Sequence, residues 1–394
     1  MELTDKYRWK IIAAVAFCYL IYAVVVQNIP PILGILIDTF HISHTEAGVL
    51  MSLALFPAIV LSLPGGLLAD RFGIRITGTV ALATMILGTV IVAMGNSYFV
   101  LSLGRLIIGL GAAVLVVALP KIITTWFAGR EIGLAMGVYH TAFPLGTILA
   151  LNFAGILAYG LGWQVPIWGS AVLCAVALLL FIVFIREAKS EQSETLKSGN
   201  LLGAIKEAGW KIWCVGIAWA LFGGGTLAYF TYAPDYFISS GRDVAQAGLI
   251  ASAPMFGSIV LAALVGMLVD RVGKKWLFAV IGLAGVALML FLIPQFTNYA
   301  ALLAISMGIF VAMFTPASFA MPADILPERV RGIGFGIILT CLGFGNALGP
   351  AIAGMCRDIT GNYWCSFMSM SILVFLGIIP IVVIKAYEKK NNYT

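Results

Sequence analysis

Gly66-Leu67-Leu68-Ala69-Asp70-Arg71-Phe72-Gly73-Ile74-Arg75 sets charge and glycine between two long apolar runs. Two hundred positions later stands Gly266-Met267-Leu268-Val269-Asp270-Arg271-Val272-Gly273-Lys274-Lys275, with Gly, Leu, Asp, Arg, Gly and a closing cation in the same places. A charged hairpin repeated at half the chain length predicts two similar halves. Of the 394 residues, 61% are hydrophobic and 10% charged, whereas soluble domains carry about 25% charged residues. The chain is therefore expected in a membrane.

A span takes roughly 20 apolar residues. The apolar runs divide into twelve, at about 11–37, 46–66, 76–95, 99–121, 132–158, 164–185, 211–233, 246–266, 276–295, 300–322, 333–356 and 363–386. The first is too long for a signal-peptide core and lacks a cleavage site, so it is read as a retained span. Between the sixth and seventh lies the one long polar connection. This predicts an N-terminal half at 1–186, a linker at 187–210 and a C-terminal half at 211–394. The six cysteines are scattered without paired spacing, which suggests neither a metal site nor a disulfide framework. His41 and His44, three apart in a loop, read more readily as a solvated pair than as metal ligands.

Orientation follows from lysine and arginine. With the N-terminus in the cytoplasm, 20 of the 23 cations fall in inner segments, and only Arg242 and Arg357 stay in outer loops. The even span count returns the C-terminus to the same side. The net charge of +6 is thus an orientation signal in short scattered segments, which argues against a nucleic-acid partner. The remaining cation, Arg105, sits about two turns inside the fourth span. Of the 17 acids, twelve fall in inner segments and five at outer ends or loops, leaving none for a span centre. A buried arginine is costly unless it meets protein, water or a counter-anion.

The two charged hairpins resemble the loop signature of the major facilitator superfamily, which lies between spans two and three and recurs between eight and nine. Arg105-Leu-Ile-Ile-Gly109-Leu-Gly111 is similar to that family's fourth-span pattern, and Trp126-Phe127-Ala-Gly-Arg130-Glu131-Ile-Gly133 to its fourth-to-fifth connection. Ile74 departs from the pattern, standing where a cation is usual. The fifth span has only Phe143-Pro144-Leu145-Gly146 in place of the Gly-Pro motif of drug antiporters. The resemblance implies an all-α integral membrane fold, with twelve transmembrane helices in two pseudo-symmetric six-helix bundles. It also implies alternating access, with Gly66, Asp70, Arg71, Gly73, Arg75, Asp270, Arg271 and Gly273 gating one side, the aspartates facing helix ends and arginines while that side is closed.

For the cargo, a cation without a nearby acid favours an anion, so Arg105 is placed in the binding site, with a structural role bonded to carbonyls of a neighbouring helix as the alternative. His140, in mid-fifth span, is the group there that titrates near neutrality. Tyr19 and Tyr22, three apart, share a face. Trp219, Tyr229 and Asn346 extend the lining, and Gly223-Gly224-Gly225 marks a weak point where the seventh span is expected to bend. The expected function is secondary or facilitative transport of a small organic or inorganic anion, a monocarboxylate among the options, with protons as a possible second partner. Export of hydrophobic drugs and a non-transporting receptor are the alternatives. Enzyme signatures are absent and no cofactor is expected. The protein is expected as a monomer in the lipid bilayer of the plasma, or cell inner, membrane.

Overall fold

A computed structural model describes residues 2–127, 131–186, 201–327 and 330–391. The described chain is a succession of helices: α1 (Glu2–Val26), α2 (Leu33–Phe40), α3 (His44–Leu53), α4 (Phe56–Phe72), α5 (Ile74–Ala93), α6 (Tyr98–Trp126), α7 (Ile132–Leu161), α8 (Gln164–Phe184), α9 (Leu201–Ser239), α10 (Val244–Val272), α11 (Lys275–Leu292), α12 (Ala300–Ile325), α13 (Arg331–Thr360), α14 (Tyr363–Leu376) and α15 (Ile378–Asn391). Among the described residues, eleven segments are long and apolar enough to cross a bilayer, and Val244–Ile259 adds a shorter one. Several spans are broken helices. Pro30 and Pro31 lack backbone N–H groups, so the first span stops at Val26, passes through a 3₁₀ turn at Pro30–Ile32 and resumes as α2.

The charged hairpins differ from the loops expected of them. Helix α4 runs through Gly66 and Arg71 to Phe72, and α5 begins at Ile74. The turn is left to Gly73 at φ +83°, and in the second copy Gly273 has φ +68°. A residue free of a Cβ adopts these angles without strain, so two long helices reverse across one or two positions. Arg71 and Arg271 are exposed, and Arg75 donates to Ile182 O at 3.0 Å. The carboxylates of Asp70 and Asp270 lie outside the described side chains. Of the expected linker, residues 187–200 lie outside the described residues, while 201–208 already belong to α9, which kinks at Gly209 with φ +68°. At Gly223-Gly224-Gly225, the weak point of the seventh span, α9 is continuous and packs closely on α13 and α14. A Cβ on Gly225 would stand 2.8 Å from Met370 O, and one on Gly224 2.9 Å from Gly345 O.

The chain packs as two compact units. One comprises Met1–Ile42, Leu53–Thr195 and Asp243–Leu249; the other comprises Ser43–Ser52, Leu196–Arg242 and Ile250–Thr394. Each therefore takes in one segment from the opposite half of the sequence, and these segments begin two hundred positions apart. The repeat persists in the packing. In the first unit a Cβ on Gly146 of α7 would run into Leu20 O of α1. In the second a Cβ on Gly345 of α13 would run into Ala220 O of α9, the carbonyl two hundred positions beyond Leu20 O. Small residues at these crossings bring the backbones close, which is how helices associate where lipid supplies no hydrophobic drive.

Candidate functional site

In the first unit, Tyr19 and Tyr22 of α1 stack with ring centroids 5.5 Å apart. Tyr139 of α7 stacks on Tyr19 at 4.2 Å, and Phe143 closes the group at 5.7 Å from Tyr19 and 6.0 Å from Tyr22. His140 stands edge-on to Tyr139 at 5.1 Å and is exposed. The sequence spacing brought the two tyrosines of α1 together, but it did not indicate Tyr139 or Phe143.

Arg105 on α6 is 0% exposed. Its guanidinium donates to Val25 O at 3.2 Å and Val26 O at 3.0 Å, the last carbonyls of α1. Val26 O would normally bond to the N–H four residues on, and that residue is Pro30. Arginine supplies the missing donor. Beyond the break, Gln27 and Asn28 are buried, and Asn28 Nδ2 donates to Ser170 Oγ at 3.0 Å. The side-chain oxygens of both residues have no hydrogen-bond partner among the described residues.

The second unit spends its polar groups in the same way. Tyr229, fully buried, donates to Ile250 O at 3.3 Å, and the residue four beyond Ile250 is Pro254. Asn346 O, orphaned by Pro350, is within 3.4 Å of Ser52 Oγ. Ala323 O, facing Pro327, takes Arg331 Nη2 at 3.3 Å. Asn346 itself is half-buried. Trp219 is 5% exposed and packs against Phe319 at 4.4 Å, Phe314 at 5.1 Å and Phe222 at 5.7 Å. Its Nε1–H has no hydrogen-bond partner among the described residues, and a buried donor left this way costs about 1–3 kcal/mol.

One cluster escaped the sequence reading. Asp358, near the end of α13, accepts from His44 N at 2.9 Å, Thr45 N at 2.8 Å and Thr45 Oγ1 at 2.6 Å, with His44 Nδ1 at 3.1 Å. It caps the N-terminus of α3 from another helix, beside the local Ser43–Glu46 capping box. Tyr232 of α9 adds a bond to His44 O at 2.6 Å. Acidic residue, turn and tyrosine are too far apart in sequence for spacing to join them. Replacing Asp358 with alanine is expected to cost about 1–2 kcal/mol, seen as a lower melting temperature in detergent, with Asp358→Asn keeping part of the loss.

The sequence pattern of the Major Facilitator Superfamily matches residues 15–243 and 239–393. The chain belongs to the Major Facilitator Superfamily. Curated relatives include a probable sulfoacetate transporter, SauU, of Cupriavidus necator, 24% identical over 96% of this chain and 94% of that protein. The human lysosomal dipeptide transporter MFSD1 is 24% identical over 86% of this chain and 78% of its own length, and a hexuronate transporter of Bacillus subtilis 22% over 88% and 87%. Among solved structures, the nucleoside transporter NupG matches with a TM-score of 0.80 and 15% identity, covering 94% of this chain and 99% of that one. This superfamily member is an integral membrane transporter with the twelve-helix fold, and it is not an enzyme.

Proposed function

We propose that the transported solute is a small organic anion, exposed in turn to the two sides of the membrane. The observation that carries this reading is Arg105. The carbonyls of Val25 and Val26 accept from its guanidinium, and it is the only charged group among the buried side chains described. A positive centre held in a low-dielectric interior attracts a negative solute. Within the first unit Tyr19 and Tyr22 are proposed beside it as substrate-binding residues, with His140. Within the second, Trp219, whose Nε1–H has no hydrogen-bond partner among the described residues, Asn346 and Tyr229, turned to Ile250 O, are proposed as substrate-binding residues. Sulfoacetate and hexuronate, named for two relatives, are organic anions, and a dipeptide ends in a carboxylate.

Proton coupling, where it operates, falls to His140 or to the solute, since no carboxylate is among the buried side chains described. Asp70 and Asp270, with Gly66, Arg71, Gly73, Arg75, Arg271 and Gly273, are assigned to switching between states. The lysine and arginine asymmetry supports a cytoplasmic position for both termini, and the plasma membrane is the proposed location. Proteoliposomes containing the purified protein are expected to take up labelled sulfonates or carboxylates saturably and to ignore neutral hexoses. Saturable hexose uptake that anions fail to inhibit would refute the reading.

A further inference from the structure

At one end of the second unit, the start of α11, the end of α12 and the end of α15 enclose a cavity of about 150 Å³. At roughly 30 Å³ per water, this is room for about five waters, or for a phosphate group with its ester carbons. Its floor is apolar, with Met321, Ile381 and Ile384 buried. Its rim is charged: Lys275 Nζ bonds to Asp324 at 2.7 and 2.8 Å and to Ala320 O at 3.4 Å, which occupies its donors.

Lys385 is held differently. It has one long contact, 3.5 Å to Glu388, and lies over the Trp276 ring at 5.9 Å. Glu388 is shared with Lys211 at 3.3 Å. The Glu388 carboxylate is thus divided between Lys211, outside the cavity, and Lys385 on its rim, which leaves Lys385 the more loosely held of the two rim lysines. A tryptophan at the end of a membrane span is an interfacial anchor, and basic pockets between such helices accept lipid headgroups.

We propose that this cavity binds the monoanionic phosphodiester of a phospholipid headgroup, with Lys385 on the phosphate oxygens and the ester arms over Ile381 and Ile384. The loosely held Lys385 is the rim cation open to a phosphate oxygen, and the polar rim over an apolar floor matches a phosphodiester better than a bare ion. The site is independent of the cargo and of the proposed anion.

Native mass spectrometry of the full-length protein with phosphatidylglycerol, and separately with inorganic phosphate, tests this. Wild type is expected to retain one phosphatidylglycerol per chain. Lys385→Gln should retain it about fivefold more weakly, the worth of one lysine beside an anionic headgroup, and Lys385→Arg should restore it. Because the Lys385 side chain is 45% exposed and holds one long contact, both variants should fold, which circular dichroism checks. Trp276→Leu is expected to weaken retention as well. Equal retention by Lys385→Gln and wild type would overturn the site. Inorganic phosphate displacing the lipid at equal concentration would overturn the lipid as its occupant.

Discussion

Arg105→Gln is expected to lose both melting temperature and transport, whereas Arg105→Lys loses mainly the first. Glutamine removes the charge and cannot reach two carbonyls at once, so at least one of Val25 O and Val26 O is left buried without a donor. Each such acceptor costs about 1–3 kcal/mol, a sizeable share of a folding free energy of about 5–15 kcal/mol. Melting should fall by about 1–4 °C for each acceptor left so. Removing one member of a buried charged contact costs about 2–5 kcal/mol, so the KM for an anion should rise at least about thirtyfold in the folded fraction. Lysine keeps the charge on a single ammonium, loses the two-pronged grip on α1 and should hold KM within a few-fold. Labelled uptake in proteoliposomes, read beside thermal melts in detergent, separates the two roles. Were Arg105→Gln to melt lower and yet keep its KM, Arg105 would be a clasp for the broken first span and nothing more.

Gly345→Val is expected to abolish folded protein. Helices α9 and α13 cross on small residues spaced four apart, Gly216, Ala220 and Gly224 against Cys341, Gly345 and Gly349. A Cβ on Gly345 would collide with Ala220 O, and one on Gly349 with Gly224 O. These obstacles are backbone atoms, which move only if a whole helix moves. Overpacking a core costs about 1–3 kcal/mol, and occasionally more, even where side chains can adjust. Gly345→Ala already adds the Cβ that meets the Ala220 carbonyl, so it should lose most of its folded protein, and valine should leave no monodisperse species on size-exclusion chromatography. Gly133, with no atom within 4 Å of its would-be Cβ, is the control: Gly133→Ala should elute and melt as wild type.

Both results rest on choices that the one-dimensional pattern shows only in part. Hydropathy and charge are local properties, so the spans, the halves and the doubled Gly-Asp-Arg-Gly hairpin are legible residue by residue. The tyrosine pair on α1 was legible too, because a helix returns to the same face after three or four residues. Arg105 stood out because an arginine inside an apolar run has a large energetic cost that something must offset. Carbonyls of a neighbouring helix were among the partners the sequence left open; which helix supplies them was not legible, since they lie 79 and 80 positions away.

By itself the sequence determined that this is a two-fold repeated, twelve-span membrane protein, because burial in lipid constrains each helix separately. Only the tertiary structure decided where the polar side chains spend their hydrogen bonds. Proline removes the donor for the carbonyl four residues before it, and the replacement comes from whichever neighbour lies alongside: Arg105 for Val26, Tyr229 for Ile250 and Arg331 for Ala323. The same holds for Asp358, which reaches a helix start 314 positions away. Such pairings depend on which helices are adjacent, and adjacency is a property of the folded molecule that no window along the chain contains.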